Sequence, residues 1–340
     1  MRKALLLVLA AILLFTFSAC GTQDQAETNK GAKIIKIAHG ASESYHMHRA
    51  WLKFKEELEK GGKFKVEIYP SSQFGNDAEM IESVKTGDLT IATPPSSFLT
   101  DEAPKMALIE LPYVFPSRQA AIDTLNGEWG QARLKELEDD GLVGLGYLEN
   151  GLRHLTNSKR PVRTPEDLKG LKLRTMQVPA HVYLWNDLGA TAEGAPFPEL
   201  YTNLSTGVFD GQENPIAHIY SQKFYEVQDY ISLTGHVYCA YVPVVNIDFW
   251  NSLSEEEKRE IREAFEVARK YQLSLIEEEE AQQLEEIRNN KIYPTTVIEL
   301  TPEEKQKFMD AAQPTLQHYR DKLGAEAFDE FMAAIKKVSK

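Results

Sequence analysis

Cysteine, positive charge and long apolar segments are all scarce in this chain of 340 residues. Its two cysteines, Cys20 and Cys239, are too few for a disulfide framework or a thiolate metal site. The 38 Lys and Arg side chains are outnumbered by 51 Asp and Glu, and the formal net charge is −13. This excess of acid argues against a nucleic-acid partner, because phosphate binding needs a basic face. Beyond the first 20 residues, no segment is apolar enough to cross a bilayer.

The sequence motifs of several large enzyme classes are also missing. The chain has no phosphate-binding loop, no dinucleotide-binding fingerprint and no Gly-x-Ser-x-Gly elbow. His46 and His48 could suggest a metal site, but residues two apart on a helix do not share a face, and no other cluster has ligand spacing. We therefore expect a protein that is not an enzyme and that holds no metal or cofactor.

The first 20 residues are arranged as an export signal. Two basic residues precede an apolar run over 4–17 that is short for a membrane span. The ending FSAC (17–20) is similar to a bacterial lipobox, which implies a signal peptide of residues 1–19 and lipid attachment to Cys20. Plain secretion with a free Cys20 is the alternative. Residues 20–32 form a polar tether. The protein is therefore expected outside the cytoplasm, in the periplasm or at the cell surface, tied to a membrane through its lipid.

Strand-like and helix-like segments alternate over residues 33–95. Alternation at this spacing predicts parallel βαβ units and hence an α/β fold. The second helix is expected to have Asp77 as its N-cap and to end before Gly87. The segments are the predicted strands 33–40, 64–70 and 88–95 and the predicted helices 44–60 and 77–87.

Two stretches of the chain repeat one short pattern of helix, Thr-Gly, short strand and Pro. Thr86-Gly87 precedes Pro95 by the same interval at which Thr206-Gly207 precedes Pro215. The repetition indicates two similar α/β lobes. Because ligands of open α/β sheets bind at the carboxyl ends of the strands, we expect a cleft where the two lobes face each other.

A long helical pattern occupies residues 252–290. Ser254 and Glu257 form a capping box at its start. Since unbroken helices of this length are unusual within one compact domain, we interpret it as a spine that spans both lobes. Two further helices, over 301–324 and 325–340, are expected to end the chain.

Two arginines follow predicted strands. Arg153 comes just after the strand 142–151, and Arg174 lies near the end of the next strand. A guanidinium buried there without a partner would be costly, so each must meet either an internal carboxylate or one that a ligand brings. Asn214, in "GVFDGQENP", could donate to the same ligand carboxylate. Alternatively, "DGQENP" could be a turn in which Asn214 satisfies local backbone groups.

Five segments in order resemble the signatures of DctP-type substrate-binding proteins of TRAP transporters. The resemblance runs from Lys33 to the end of the chain, and it implies a type II periplasmic-binding-protein-like α/β fold with two lobes, hinge strands and the spine helix. It also implies a carboxylate ligand and delivery to the small and large membrane permease subunits. The segments are "YPSSQFGNDAEMIESVKTGDL", "GLRHLTNS", "DLKGLKLRTMQVP", "GVFDGQENP" and "QKFYEVQDYISLTGH".

The resemblance also implies which residues bind the ligand and where the lobes divide. Lobe I is expected to comprise 33–150 and 240–279, and lobe II 151–239 and 280–340. Arg174 corresponds to the principal carboxylate anchor. The other residues that correspond to ligand-binding positions are Arg153, Asn214, Gln177, Phe197, His39, Asp77 and Ser96.

The ligand is expected to be a C4-dicarboxylate or a sugar acid, although 2-oxo acids and aromatic acids would also fit an arginine-anchored cleft. The alternative function is a type II binding lipoprotein of an ABC importer for an amino acid or a sugar. An amino acid would need an acidic partner near the arginines for its ammonium group, and Asp77 is the one candidate for that place.

Overall fold

A computed structural model describes residues 31–339 of the chain. The predicted signal peptide and Cys20 lie outside these residues. The strands are β1 (Lys33–Ala38), β2 (Phe64–Tyr69), β3 (Ile91–Ala92), β4 (Leu142–Gly144), β5 (Leu148–Leu152), β6 (His154–Asn157), β7 (Lys172–Thr175), β8 (Thr191–Gly194), β9 (Gly211–Asn214), β10 (Tyr230–Ser232), β11 (Tyr238–Tyr241), β12 (Val244–Asn246) and β13 (Thr296–Ile298).

Helices connect and cover these strands. Most carry an apolar face, which they bury against a sheet or a neighbouring helix. They are α1 (His46–Glu59), α2 (Asp77–Lys85), α3 (Arg118–Asn126), α4 (Glu128–Glu136), α5 (Pro179–Asp187), α6 (Leu200–Ser205), α7 (Ile216–Ser221), α8 (Ile247–Asn251), α9 (Glu255–Arg288), α10 (Pro302–Ala311), α11 (Gln313–Leu323) and α12 (Ala325–Val338).

The strands form two larger sheets and one separate pair. The first sheet has the order β2-β1-β3-β12-β4, and the second has the order β13-β10-β6-β9-β7-β8. β5 and β11 pair with each other, antiparallel, outside both sheets. The chain passes from the first sheet to the second through β5 and returns through β11. These two strands connect the two sheets and are therefore the candidates for the hinge strands that the family resemblance implies.

The repeated Thr-Gly pattern lies at equivalent places in the two sheets. Gly87 and Gly207 have φ of +83° and +74° just after α2 and α6, where a residue without a side chain ends a helix most easily. β3 then lies between parallel β1 and antiparallel β12, as β9 lies between parallel β7 and antiparallel β6. The two strand ends, at Pro95 and Asn214, consequently line one cleft.

The spine helix α9 has the predicted start. The Ser254 hydroxyl accepts from the Glu257 backbone N–H, and the Glu257 carboxylate accepts from the Ser254 N–H. The helix packs against α1, which follows the first strand of the first sheet, and against α7, which follows β9 of the second. Its buried side chains include Phe265 in the middle and Ile287 near the end.

Two predicted boundaries are wrong for reasons of capping and turn geometry. The N-cap of α2 is Asn76, whose side chain and that of Glu79 form a reciprocal capping box; Asp77 is the first helical residue. The strand expected over 142–151 is divided into β4 and β5. Gly146, at φ +156°, turns the chain at that point, and a Cβ there would lie 2.6 Å from a ring carbon of Phe265.

The helix expected over 301–324 is also divided, into α10 and α11. Pro314 has no N–H to donate and cannot continue a helix, but it is well accommodated in the first turn of the next one. The last helix, α12, packs against α3, and its Phe331 contacts Trp129 with ring centroids 4.6 Å apart. The division of the sequence into two lobes at the residues given above stays a prediction.

Gly211, in the centre of the second sheet, has no room for a side chain. A Cβ there would lie 2.3 Å from the Thr156 carbonyl oxygen and 2.9 Å from Leu173 Cδ2. We therefore expect Gly211→Ala to lower the free energy of unfolding by about 3 kcal/mol, measured by urea denaturation. Gly61→Ala is the control, because no atom lies within 4 Å of the added Cβ. Equal stability of Gly211→Ala and the unchanged protein would contradict the packing of β9 between β6 and β7.

Candidate ligand-binding site

A cleft with about 490 Å³ of space between protein atoms, part of it open to solvent, lies where the carboxyl ends of strands from the two sheets meet. The first sheet contributes residues that follow β1, β2 and β3, and the second contributes residues that follow or end β7, β8 and β9. The strands β5 and β11 form the back of the cleft. The lining residues are Gly40, Asn76, Asp77, Pro95, Phe98, Asn150, Arg153, Arg174, Met176, Gln177, Ala195, Phe197, Asn214, His218 and Tyr241.

Arg174 is buried in this cleft without a carboxylate partner. Its side chain is 2% exposed, and its Nε and Nη2 both donate to the Ala195 carbonyl, at 2.8 and 2.5 Å. Within residues 31–339, no carboxylate oxygen lies within 4 Å of its guanidinium, and its buried Nη1 has no hydrogen-bond partner. Burial lowers the pKa of Arg174 to about 10, so the group remains charged at neutral pH.

Arg153, by contrast, is held by an internal carboxylate. Its Nε and Nη2 donate to the two Glu213 carboxylate oxygens at 2.5 and 2.9 Å, and both side chains are buried. His236 Nε2 lies 3.0 Å from the same carboxylate. The two outcomes considered for a buried arginine are therefore both present, with Arg153 paired inside the protein and Arg174 unpaired. The Nη1 atom of Arg153 is also buried and without a partner.

A second carboxylate, Glu110, is joined to this group through His181. The His181 Nε2 is 3.0 Å from Glu110 Oε2, and its Nδ1 is 3.5 Å from Glu213 Oε1. Burial alone would lower the pKa of His181, but attraction to Glu213 and the hydrogen bond to Glu110 raise it. Glu110 precedes α3, whereas His181 lies on α5 and Glu213 on β9, so the cluster connects elements that flank both sheets.

Asp77 projects into the cleft because Asn76, rather than Asp77, caps α2. Its pKa is raised to about 7: burial raises it, the Arg174 charge lowers it, and the Glu110 charge raises it. Both Glu213, behind the wall, and Asp77, on the lining, favour the charged form of Arg174, and Glu213 has the larger effect; neither carboxyl group lies within 4 Å of the guanidinium. The Asn214 amide donates to the Gln212 side chain at 2.5 Å, and "GQEN" forms a strand rather than a turn.

Six of the eight predicted ligand-binding residues line the cleft, and two lie behind its wall. His39 is fully buried with its Nε2 3.1 Å from His48 Nδ1, and burial together with His48 lowers the pKa of His39 to about 3. Ser96 donates to Glu110 at 2.8 Å. Their neighbours Gly40 and Pro95 line the cleft instead. Ligand binding by each of the eight stays a prediction.

The histidines of the "HMH" segment take part in packing. His46 Nδ1 lies 3.0 Å from the Gln272 amide of α9, and His48 contacts His39. In the described part of the chain, no group of three or more His, Cys, Asp or Glu side chains is placed to hold a metal ion. Also within residues 31–339, none of the helices combines the length and apolar character that a membrane span requires.

Sequence reasoning missed several residues of the site. His218 lines the cleft, where it stacks on Tyr45 with ring centroids 4.0 Å apart and bonds the Tyr241 hydroxyl at 2.8 Å. Burial and the nearby Arg153 charge lower the pKa of His218 well below its usual value, so the ring is neutral. The short helix α7 gives no periodic signal for this residue. Glu213 lies in the "QENP" segment, whose first three residues belong to a fully buried strand. A carboxylate in a buried strand was the signal that could have identified it as the partner of an arginine.

The chain matches a family model described as bacterial extracellular solute-binding protein, family 7 (DctP), over residues 37–322. It is 33% identical to the C4-dicarboxylate-binding protein DctB of Bacillus subtilis, over 92% of this chain and 87% of that protein. The comparison favours this family over a binding protein of an ABC importer.

Solved structures show the same fold. A TRAP periplasmic solute-binding protein of Shewanella oneidensis, with bound succinate, is 31% identical with a TM-score of 0.85, over 89% of this chain and 99% of that chain. The sugar acid binding protein DctPAm of Advenella mimigardefordensis, in complex with galactonate, is 31% identical with a TM-score of 0.87, over 91% and 99%. The prediction of a two-lobed periplasmic-binding-protein-like α/β fold is confirmed.

The raised pKa of His181 predicts how its contribution to stability depends on pH. Histidine in the unfolded chain has a pKa near 6.5. The stabilisation is therefore present below about pH 6.5 and is lost as the pH rises through the higher folded-state pKa. His181→Gln should lower the free energy of unfolding more at about pH 6 than at about pH 9, by about 1.4 kcal/mol per unit of raised pKa. Urea denaturation at both pH values measures the difference.

His154 provides a matched control with the opposite sign. Burial, with the nearby His236 and Lys305 charges, lowers its pKa to about 3. Its neutral form is favoured in the folded protein, so His154→Gln should cost less stability at about pH 6 than at about pH 9. Equal losses for His181→Gln at the two pH values would mean that His181 is not charged between Glu110 and Glu213.

Proposed function

The chain belongs to the family 7 bacterial extracellular solute-binding proteins, which are binding proteins and not enzymes, and we propose that Arg174 anchors the carboxylate of a small organic acid in its cleft. The observation that supports this assignment is the buried guanidinium without a counter-ion. A group in that state is stabilised when a ligand brings the missing negative charge. The proposed ligand is a C4-dicarboxylate or a sugar acid, the two classes that the relatives' names and bound molecules represent.

The contacts of Arg174 leave its free edge available to a ligand. Two nitrogens of the guanidinium are fixed by the Ala195 carbonyl, so the plane of the group is oriented before a ligand arrives. Nη1 remains free, and Arg153 Nη1 is likewise buried and unpartnered on the same cleft. Asn214 uses one amide hydrogen on Gln212 and has a second to donate. We assign these three residues to the carboxylate.

The other assigned residues complete the proposed site. Gln177 and Phe197 follow β7 and β8 at the cleft edge, and the Phe197 ring lies 5.8 Å from the Arg174 guanidinium carbon. Asp77 approaches from the opposite side. His39 and Ser96 do not line the cleft, because their side chains bond to His48 and Glu110. They would affect the ligand indirectly, by holding Gly40, Pro95 and Glu110 in place.

Because the cleft draws residues from both sheets, we propose that ligand binding brings the two lobes together. Asp77 and Pro95 come from the first sheet, and Arg174 and Asn214 from the second. A ligand stabilises the closed arrangement only by binding it more tightly than the open one, and contacts from both sides provide that difference. β5, β11 and α9 are the connections that would bend.

We further propose that the loaded protein delivers its acid to the small and large membrane subunits of a TRAP permease. The family membership supports this partnership. Cleavage before Cys20 and lipid attachment to its thiol would keep the protein at the membrane surface, with residues 20–32 as the tether. The closed shape would let the permease distinguish loaded protein from empty protein.

Arg174→Lys tests the anchor. Lysine keeps the charge but loses the planar fork, so we expect affinity for the bound acid to fall by about 1.5–3 kcal/mol, measured by isothermal titration calorimetry. Arg163→Lys is the matched control, because Arg163 is exposed and lies outside the cleft. If both variants bind the acid as tightly as the unchanged protein, Arg174 is not the anchor.

Small-angle scattering tests closure. The radius of gyration of the mature protein should decrease when a tightly binding acid saturates it. The comparison uses one acid concentration that saturates the unchanged protein but lies below the dissociation constant of Arg174→Lys. At that concentration the variant should keep the larger radius of gyration. An unchanged radius in the saturated protein would show that the two lobes are fixed and that the hinge assignment of β5 and β11 is wrong.

A further inference from the structure

We propose that the cleft selects acids with a single carboxylate and hydroxyl groups on the other carbons, and that Asp77 rejects a second carboxylate. The inference rests on the proposed function, since it takes Arg174 as the anchor of the first carboxylate. It narrows the ligand from two classes to one, the hydroxylated monocarboxylates.

The charges that line the cleft support a single carboxylate. Of the 15 lining residues, only Arg153, Arg174 and Asp77 carry ionisable charge near neutral pH, because His218 is held neutral. Arg153 is neutralised by the Glu213 carboxylate that it grips through two hydrogen bonds. One uncompensated cation therefore remains, Arg174, and it can balance one carboxylate. The lining contains no lysine that could balance another.

Asp77 makes a second carboxylate more costly still. It lies on the side opposite Arg174, close enough for each charge to alter the pKa of the other. A dicarboxylate anchored at Arg174 would direct its second charge into a buried cleft that already holds a carboxyl group. Whether or not Asp77 is protonated, the filled cleft would carry an excess of negative charge with no cation to offset it.

A hydroxyl group meets no such penalty from Asp77. It can donate to the ionised carboxylate and accept from the protonated carboxylic acid, whereas a carboxylate can only accept. The other polar residues of the lining include Asn76 beside Asp77 and Gln177 just after β7, which are uncharged amides that also donate and accept. Phe98 and Met176 offer apolar surface to the carbon chain. The lining around the Arg174 anchor is thus suited to C–OH groups.

Two pairs of acids test this selection, and each pair differs only in the terminal carbon. D-Erythronate and meso-tartrate have four carbons, and D-gluconate and D-glucarate have six; the first of each pair ends in CH2OH and the second in a carboxylate. One of the two chain lengths is expected to fit the cleft. For that pair, titration calorimetry of the mature protein at neutral pH should show that the monoacid binds at least tenfold more tightly than the diacid. Tighter binding of tartrate or glucarate would overturn the inference, as would binding of none of the four.

Asp77→Asn tests the residue assigned to rejection. Asparagine has the same shape without the charge, so binding of the diacid should improve by about tenfold relative to the monoacid of its pair. Asp101→Asn removes an equal charge at an exposed position away from the cleft and should leave the ratio unchanged. An unchanged ratio in Asp77→Asn would remove Asp77 from this role.

The two levels of the proposal fail in different ways. If acids bind and Arg174→Lys weakens them, but diacids are preferred, the proposed function stands and the selection by Asp77 is wrong. If acid binding is insensitive to Arg174→Lys, the anchor itself is wrong. An α-amino acid that binds in place of all four acids would instead assign Asp77 to an ammonium group.

Discussion

Moving a guanidinium out of water costs several kcal/mol unless a negative charge accompanies it. Arg174 is held in that state by the second sheet, where β7 lies between β8 and β9 and the Ala195 carbonyl fixes two of its nitrogens. The direct hydrogen bonds of the guanidinium are to this neutral carbonyl, and the Glu213 and Asp77 carboxyl groups favour its charge only from beyond 4 Å. If Arg174 is the anchor, as proposed, this cost would remain until a ligand supplies a carboxylate, and its relief would contribute to the binding free energy.

The other buried charges next to Arg174, apart from the Asp77 carboxyl group, are paired within the protein. Arg153 and His181 are balanced by Glu213 and Glu110, and all four side chains are buried. The hydrogen bonds of that cluster fix the positions of β9 and α5 around Arg174, and they leave Arg153 Nη1 without a partner on the cleft. Two arginines of similar appearance in the sequence therefore differ in their surroundings: Arg153 is paired with Glu213, and Arg174, the proposed anchor, has no carboxylate partner within 4 Å among the described residues.

Local rules in the sequence predicted those parts of the fold that local chemistry determines. The capping box of α9, the α/β alternation and the Thr-Gly ends of α2 and α6 depend on residues within a few positions of each other. The break at Gly146 was not predicted, because the ring that requires a glycine there, Phe265, lies far along the chain. The cap of α2 was misplaced by one residue, since Asn76 and Asp77 are both good caps.

The candidate site divides in the same way. Residues at strand ends, such as Arg174 and Asn214, could be found from the sequence because strand ends carry ligand sites in α/β folds. The cluster of Glu110, His181 and Glu213 could not, because 71 residues separate the first two and no spacing rule joins them. A correct position after a strand did not predict the direction in which the side chain points. His39 and Ser96 follow the right strands, but their side chains turn away from the cleft.

In the proposed mechanism, anchoring and selection lie on opposite sides of the cleft, and this arrangement would couple them to closure. Arg174 belongs to the second sheet and would hold a carboxylate while the lobes are apart. Asp77 belongs to the first-sheet side and would reach the rest of the ligand only when the lobes meet. In the proposed mechanism a diacid could therefore dock on Arg174 yet oppose closure, because its second charge would be pressed towards Asp77. Specificity would then be exerted at the closing step, and the permease, if it recognises the closed shape, would receive only the acids that pass it.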